Sequence, residues 1–244
     1  MRTSDKRQYT STPRKARPAG EQRRPAAGRE PQWLVVSAWA PELASLRRAV
    51  PHLPVPIRRN LTMGSVGVGL VDAAAGTARL LEEIRPGGVI LVGTAGLYPA
   101  AGQGLRLADA VVADEIALLP DVTTGRHTYL PEVMSRQVSA TPGLSEAIRN
   151  AASLAAVDVA CPLAITASAP AARNAAKSSH CAVENLEAFA VARAAAGRNI
   201  PFAAVLGIAN HVGPAAHREW KQNSARAAAA ACQAVLTFLG AWPR

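Results

Sequence analysis

The stretch from residue 183 to residue 214 constrains the fold more than any other part of the chain. Its apolar spacing predicts a helix over residues 183–196, ended by a glycine. A continuous apolar run then predicts a buried strand over residues 202–208, and Asn210 follows at its carboxyl end. Open α/β sheets bind small molecules at the carboxyl ends of their strands, so Asn210 is a candidate ligand contact. Glu187 lies on the preceding predicted helix.

The same alternation of strand and helix recurs along the chain. Short apolar runs predict strands over residues 33–38, 89–92, 110–113 and 163–168, the last running into an Ala/Pro loop. Alanine-rich periodic segments predict helices over residues 70–81, 144–156 and 224–239. Strands that alternate with helices favour a mostly parallel or mixed sheet covered on both faces. The predicted fold class is therefore α/β, with three αβα layers and a central mixed sheet.

The positive charge is concentrated at the amino terminus. Of the 244 residues, which carry a formal net charge of +10, residues 1–31 hold nine Lys or Arg against three acids. This segment has too little apolar surface to offset the entropy of ordering, so we expect residues 1–31 to form a disordered basic tail. Three explanations of this tail stay open: a weak polyanion-binding arm, a solvated extension, or a start codon assigned too far upstream. We do not expect nucleic acid to be the partner of this protein. Residues 32–244 suffice for one domain.

The remaining composition gives no sign of a metal, a cofactor or a membrane span. The three cysteines are widely spaced and favour neither disulfides nor zinc: Cys161, Cys181 and Cys232. His211 and His217 have no recognised metal-binding spacing. The glycine-rich residues 64–69 predict a tight turn that approaches a ligand, because a dinucleotide motif would need glycine at Asp72. No window reaches the length of a membrane span without a charge or a helix breaker, so we expect a cytoplasmic protein.

Three glutamates are candidates for chemistry, although each has an ordinary structural explanation. Glu42 follows the first predicted strand, where it could simply stabilise the start of a helix. Glu184 and Glu187 lie three residues apart on the predicted helix, so they would share roughly one face, which is usually solvated. Taken residue by residue, these patterns leave a catalytic role open.

The order of several short segments resembles the nucleoside phosphorylase superfamily. These segments are SAWAPEL (37–43), VGVG (66–69), VGTAG (92–96), ADAVVADE (108–115), VENLEAFA (183–190) and PFAAVLGIAN (201–210). The resemblance covers residues 33–239 and looks most like the nucleosidase branch, which hydrolyses methylthioadenosine, adenosylhomocysteine and futalosine. The stretch NHVGPAAHREW (210–220) is similar to futalosine hydrolase. The resemblance implies a central, mixed, twisted sheet.

The resemblance also implies which residues would meet water and ribose. In this family a nucleosidase holds water with a glutamate just after the first strand, which is the position of Glu42. The family's Met-Glu pair packs on the sugar and binds its hydroxyls. It corresponds to Leu186 and Glu187, so the glutamate matches and the methionine does not. The segment beside the sugar matches Thr94, Ala95 and Gly96.

The implied base site departs from the family pattern. The loop that lines the purine corresponds to residues 166–173, including Ala169 and Pro170, and it lacks the expected aromatic residue. Adenine-releasing members have an aspartate that protonates N7 of the base, and Asn210 stands at that place. An amide can donate one hydrogen bond and accept another, which suits the N7 and O6 region of a 6-oxopurine such as hypoxanthine. Leu206 stands where many nucleosidases have arginine.

Together these features predict an N-ribosyl hydrolase that releases a purine, hypoxanthine first, from a modified nucleoside such as futalosine. The predicted catalytic residues are Glu42 and Asn210, and the predicted partner is a small purine nucleoside. The family implies a homo-oligomer and neither a cofactor nor a metal. Two alternatives stay open: a phosphate-dependent nucleoside phosphorylase, and a catalytically silent nucleoside-binding protein. The arginines that could reach a phosphate are Arg58, Arg59 and Arg106.

Overall fold

The computed structural model describes residues 32–99, 104–120 and 131–241, which fold around a mixed sheet of eight strands. The predicted basic tail, residues 1–31, lies outside the described residues. The strands are β1 (Trp33–Ser37), β2 (Leu61–Ser65), β3 (Gly88–Leu97), β4 (Ala110–Leu119), β5 (Gln137–Ser139), β6 (Ala155–Pro162), β7 (Val183–Glu184) and β8 (Phe202–His211). The helices are α1 (Ala44–Ala49), α2 (Val55–Arg59), α3 (Leu70–Ile84), α4 (Pro142–Ala152), α5 (Ala169–Ser179), α6 (Ala188–Ala196) and α7 (Ala216–Ala241).

Five of the described strands close into a ring. β3 pairs in parallel with β8, β8 pairs antiparallel with β4, and β4 pairs in parallel with β6. The short strand β7 then joins β6 to the carboxyl end of β3. β1 pairs in parallel with β3 and with β2. The carboxyl ends of the parallel strands β1, β3 and β8 therefore meet in one place, beside β7.

Helices cover both faces of this sheet, and the predicted layered α/β fold is confirmed. Alternate residues of β1 show the arrangement, because side chains along a strand point to opposite faces. Leu34 and Val36 pack with α3 and α6, whereas Trp33 and Val35 pack with α1, α4 and α7. A strand buried on both faces reads as a continuous apolar run, which is why β1 could be recognised in the sequence.

The long helix α7 lies against β8. A Cβ atom on Gly207 of β8 would lie 1.9 Å from the carbonyl oxygen of Ala227, so glycine permits this close approach. By length and composition, α7 is the one helix of the described residues that could cross a membrane, but 44% of its apolar window is buried within the protein. Packing in the core accounts for its apolar character, as for the central helix of many folded domains.

The predicted helix over residues 144–156 is too long. α4 ends at Ala152, and Ser153 adopts a left-handed conformation with φ of 53°. Ala155 already begins β6, which pairs with β4 over most of its length. Pairing within the sheet therefore overrides the high helix propensity of the alanines in this segment.

The predicted strand over residues 163–168 is wrong. β6 ends at Pro162, and the N–H of Thr166 donates to the carboxylate of Glu184 at 3.0 Å instead of to a neighbouring strand. The Ala/Pro loop predicted after it is also wrong, because these residues form α5. The Ser168 hydroxyl accepts a hydrogen bond of 3.2 Å from the first turn of α5, and a proline occupies that turn.

The helix predicted to begin at residue 183 begins instead at Ala188. Val183 and Glu184 form β7, which pairs with β3 and β6. The side-chain oxygen of Asn185 accepts hydrogen bonds from the N–H groups of Glu187 and Ala188, at 2.9 and 2.8 Å, and so starts α6. Glu184 and Glu187 therefore do not share a helix face, and the prediction that they do is wrong.

Candidate active site

A cavity of about 400 Å³ opens where β1, β3, β7 and β8 end. Its walls come from the turn after β1, the carboxyl end of β3, the residues that follow β7, and the start of α7. Seven of the nine predicted site residues line it: Glu42, Thr94, Ala95, Gly96, Leu186, Glu187 and Asn210. The fold thus brings together residues that lie far apart in the sequence.

Two predicted base contacts do not line this cavity. Ala169 and Pro170 lie in the first turn of α5, because the segment expected to be a loop is helical. Ile165 is the residue of the preceding segment that reaches the cavity. Leu206 is fully buried and packs in the core between the sheet and α6, away from the cavity lining.

Glu42 is a buried carboxylate held by three donors. Its Oε1 accepts from the N–H of Thr94 at 3.0 Å and from the Thr94 hydroxyl at 3.1 Å. Its Oε2 accepts from the N–H of Trp39 at 3.3 Å. Burial, with a smaller contribution from the charge of Glu187, raises the pKa of Glu42 to about 7 against the effect of these donors. A carboxylate that titrates near neutrality can take a proton from a water molecule at physiological pH.

The raised pKa of Glu42 predicts how stability depends on pH. Between the ordinary value of 4.5 and the folded value of about 7, the folded protein binds the extra proton, so stability falls as the pH rises through this window. Glu42→Gln removes the titration. Its free energy of unfolding, relative to wild type, should therefore increase by about 3 kcal/mol between about pH 4 and about pH 8. Denaturant titrations of wild type and variant at the two pH values measure these free energies of unfolding. A variant that differs from wild type by the same amount at both pH values would contradict the raised pKa of Glu42.

Glu187 is the second buried carboxylate of the cavity. Its Oε1 accepts a 2.8 Å hydrogen bond from the N–H of Gly69, which precedes α3 and has a φ of +85°. Burial raises the pKa of Glu187, while the Gly69 N–H acts in the opposite direction. The turn predicted at residues 64–69 therefore reaches the cavity, where the N–H of Gly69 holds the carboxylate of Glu187. In a dinucleotide-binding turn such an N–H would hold a phosphate.

Asn210 reaches the cavity through an irregularity in the sheet. The register between β3 and β8 shifts after Ala95, so Asn210 lies opposite Gly96. A Cβ atom at residue 96 would come within 2.9 Å of the Asn210 Nδ2, so glycine leaves room for the amide. Nδ2 donates to the carbonyl of His211 at 3.0 Å. Within the described residues, its second N–H and its oxygen have no partner and can meet a ligand.

Thr94 connects Glu42 to helix α7. The Thr94 hydroxyl donates to Glu42 and accepts from the indole N–H of Trp220 at 3.2 Å. The Trp220 ring lies 5.9 Å from the Trp39 ring and stacks on His217 at 6.4 Å between centroids. These aromatic rings form an apolar wall of the cavity beside the carboxylate.

Several cavity residues were not predicted from the sequence. They are Ala38, Trp39, Val68, Ile165, Asn185, Ala216, His217 and Trp220, and Glu184, which the sequence offered only as part of a helix face, lines the cavity as well. Glu184 accepts from the hydroxyl of Tyr98 at 2.7 Å, and burial raises the pKa of Tyr98. Only one sequence pattern could have indicated a role for Asn185. It is an asparagine close to the start of an apolar helical repeat, and asparagine is common where helices begin.

The described residues offer acid–base groups but no metal site. No group of three His, Cys, Asp or Glu side chains within them could hold a metal ion. The three cysteines are free and buried, and burial raises the pKa of Cys161, so its thiolate is disfavoured at neutral pH. The carboxylates of Glu42, Glu184 and Glu187 and the amide of Asn210 are therefore the polar groups with which we account for the chemistry of this cavity, and Glu184 is already engaged by Tyr98 and Thr166.

The sequence of this chain matches the profile of one known protein family. The profile of the phosphorylase superfamily matches residues 35–240. The chain therefore belongs to the phosphorylase superfamily, and the resemblance found in the sequence is confirmed. No curated protein sequence matches the chain.

Solved structures share the fold. The 5′-methylthioadenosine/S-adenosylhomocysteine nucleosidase of Neisseria meningitidis, bound to methylthio-immucillin-A, has a TM-score of 0.73 at 20% identity, covering 86% of this chain and 99% of that one. The S-adenosylhomocysteine nucleosidase of Streptococcus pyogenes has a TM-score of 0.76 at 18% identity, with 90% and 100% covered. The futalosine hydrolase of Helicobacter pylori has a TM-score of 0.75 at 12% identity, with 84% and 96% covered. At these identities the likeness establishes the fold.

Proposed function

We propose that this protein is an N-ribosyl hydrolase that releases a purine base from a modified nucleoside. The observation that carries the proposal is the buried carboxylate of Glu42, held by three donors at the cavity wall with a pKa near neutrality. Glu187 supplies a second carboxylate to the same cavity. Structures of methylthioadenosine nucleosidase and futalosine hydrolase share the fold, which supports this reaction class.

In the proposed reaction, Glu42 orients a water molecule and takes its proton while the water oxygen bonds to C1′ of the ribose. The bond from C1′ to the purine nitrogen breaks, its electron pair leaves with the base, and the base takes up a proton from solvent. Glu187 binds the ribose hydroxyls through charge-assisted hydrogen bonds. The carboxylates of Glu42 and Glu187, which line one cavity, stabilise the positive charge that develops at C1′.

Electrostatics favour water over phosphate as the nucleophile. No lysine or arginine of the described residues lines the cavity. Arg58, Arg59 and Arg106, the cations considered for phosphate binding, are exposed. A phosphate anion would enter beside the carboxylates of Glu42 and Glu187 without a cation to offset their repulsion. Hydrolysis therefore suits these walls better than phosphorolysis.

We propose a 6-oxopurine, with hypoxanthine first, as the departing base. Asn210 would donate to one acceptor of this base and stabilise the charge that gathers on it, so Asn210→Ala should lower kcat by about 100-fold. The measurement is steady-state release of hypoxanthine from inosine or futalosine. The matched control is Asn150→Ala on the exposed side of α4, which should leave kcat unchanged.

Asn210→Asp separates this role from that of a proton donor. An aspartate can protonate N7 of adenine, so the variant should shift preference towards adenine release and lose rate on hypoxanthine. Faster hypoxanthine release by Asn210→Asp than by wild type would refute the proposed role of the amide.

We also propose that the protein acts as a homo-oligomer. Trp39, Val68 and Ile165 line the cavity and are 48%, 59% and 59% exposed, respectively. A second copy that covered these apolar side chains would remove them from water and exclude solvent from the cavity. Light scattering on the full chain measures its mass in solution. A monomeric mass at the concentration used for the activity assay would contradict the proposed homo-oligomer.

Base release from four nucleosides tests the proposed activity. Futalosine, inosine, adenosine and methylthioadenosine are incubated with the protein in phosphate-free buffer, and the products are separated by chromatography. We expect hypoxanthine from futalosine at the highest kcat/KM. Adenine release alone would overturn the proposed base, and no release from any of the four would favour a nucleoside-binding protein.

A further inference from the structure

One amide side chain connects the backbone of Thr94, which donates to Glu42, to the backbone that carries Glu187. Nδ2 of Asn185 donates to the carbonyl of Thr94 at 3.0 Å, and Thr94 in turn gives its N–H and hydroxyl to Glu42. Oδ1 of Asn185 accepts from the N–H groups of Glu187 and Ala188, at 2.9 and 2.8 Å. The side chain is only 6% exposed, so these bonds form away from bulk water.

Asn185 is itself fixed in place. Its N–H donates to the carbonyl of Ala160 in β6 at 3.0 Å, directly after the two-residue strand β7. A Cβ atom on Gly93 would lie 3.7 Å from both the Asn185 Nδ2 and the Glu42 Oε1, so the amide and the carboxylate lie beside the same glycine. The amide therefore spans a set distance between β3 and the start of α6.

We propose that Asn185 is a positioning residue that sets the separation and orientation of Glu42 and Glu187. One end of its amide holds the Thr94 peptide so that the two donors of Thr94 aim at Glu42, and the other end holds the backbone of Glu187. This inference rests on the proposed function, because the two carboxylates are the groups that place water and ribose. A displacement of about 1 Å between such groups lowers a rate by about 100-fold.

A purely structural role would be to start helix α6, and two variants separate the alternatives. Asn185→Ser keeps an oxygen that can accept from the N–H groups of Glu187 and Ala188, because a serine hydroxyl forms the same kind of local turn as an asparagine amide, although more weakly. Its shorter side chain cannot reach the carbonyl of Thr94. Asn185→Ala loses both contacts. A helix-start role predicts harm from alanine alone, whereas a positioning role predicts harm from both variants.

Kinetics of the full-length variants give the first readout. Positioning predicts that both Asn185→Ser and Asn185→Ala lower kcat by about 10- to 100-fold while KM changes by about threefold or less. Asn185→Ala, which loses both contacts, should lower the midpoint of thermal unfolding more than Asn185→Ser does. Wild-type kcat in Asn185→Ser would overturn the proposal. Asn223→Ser, which removes an amide donor to the Glu219 carbonyl within α7, is the matched control and should keep wild-type kcat.

A titration that does not depend on turnover gives the second readout. Carbon-13 NMR of labelled glutamate follows the Glu42 carboxyl, whose signal is identified by its loss in Glu42→Gln. If Asn185 aims the Thr94 donors at Glu42, then Asn185→Ser weakens them and the pKa of Glu42 rises by about half a pH unit or more. The Asn185 side chain also lowers the pKa of Glu187, so its loss would weaken the negative charge of Glu187 and would lower the pKa of Glu42, which is opposite to the expected rise. The thiol of Cys232, which donates to the Glu42 carbonyl, is present in every variant compared. An unchanged titration would overturn the inference. Absence of base release by wild type would defeat only the proposed function.

Discussion

Replacing Glu42 with glutamine should lower kcat for base release by about 1000-fold, because the amide cannot accept the proton of the attacking water. The variant keeps an oxygen that can accept the Thr94 donors, so KM should change little. Steady-state release of the base, measured by chromatography with wild type and variant side by side, gives both constants. A loss confined to kcat indicates an interaction made in the transition state.

The control for this variant is a glutamate outside the cavity. Glu83 on α3 pairs with Arg79 one turn away and both side chains are more than half exposed, so Glu83→Gln should leave kcat unchanged. Glu42→Gln should also remain folded at neutral pH, because it removes a buried charge. A folded Glu42→Gln that retains more than about a tenth of the wild-type kcat would contradict the role of Glu42 as general base.

Replacing Glu187 with glutamine should lower kcat/KM by about 1000-fold, because charge-assisted bonds to two ribose hydroxyls weaken together. The same change removes a negative charge that raises the pKa of Glu42, so the acidic limb of the pH–rate profile should move to lower pH. The two effects together distinguish loss of sugar binding from a general disturbance of the cavity.

The substrate offers a matched test of Glu187. Wild type should strongly prefer ribosyl over deoxyribosyl nucleosides, and Glu187→Gln should lose most of that preference, because the deoxy substrate lacks a hydroxyl for the carboxylate to bind. Equal losses on both substrates would show that Glu187 does not contact the missing hydroxyl. Glu83→Gln serves again as the variant that should keep wild-type preference.

Strands buried on both faces were predictable from the sequence, and so was the part of the site at their ends. Residues 33–38, 89–92 and 202–208 read as continuous apolar runs, and each lies within or over an observed strand. Residues at the ends of such parallel strands meet, which is why Asn210 could be named before the structure, whereas the family resemblance singled out Glu42. The order of motifs supplied the family, although no single motif was specific.

Other parts depended on contacts that composition does not reveal. The alanines after residue 154 form β6 because β4 pairs with them. The helix propensity of alanine is weak compared with the stabilisation from this pairing. Val183 and Glu184 resemble the start of a helix, yet pairing with β3 and β6 makes them a strand. That displacement places Asn185 just before the helix, where its amide bonds the carbonyl of Thr94 and the N–H groups of Glu187 and Ala188. A long-range link of this kind has no local sequence pattern.

The most direct test of the proposed hydrolase is to follow the fate of the sugar from futalosine, with and without millimolar phosphate. If Glu42 activates water, wild type releases hypoxanthine and free sugar at the same rate in both buffers, Glu42→Gln releases neither at a comparable rate, and phosphorus-31 NMR detects no sugar 1-phosphate. Release that requires phosphate and yields a sugar 1-phosphate would contradict hydrolysis and make the protein a phosphorylase.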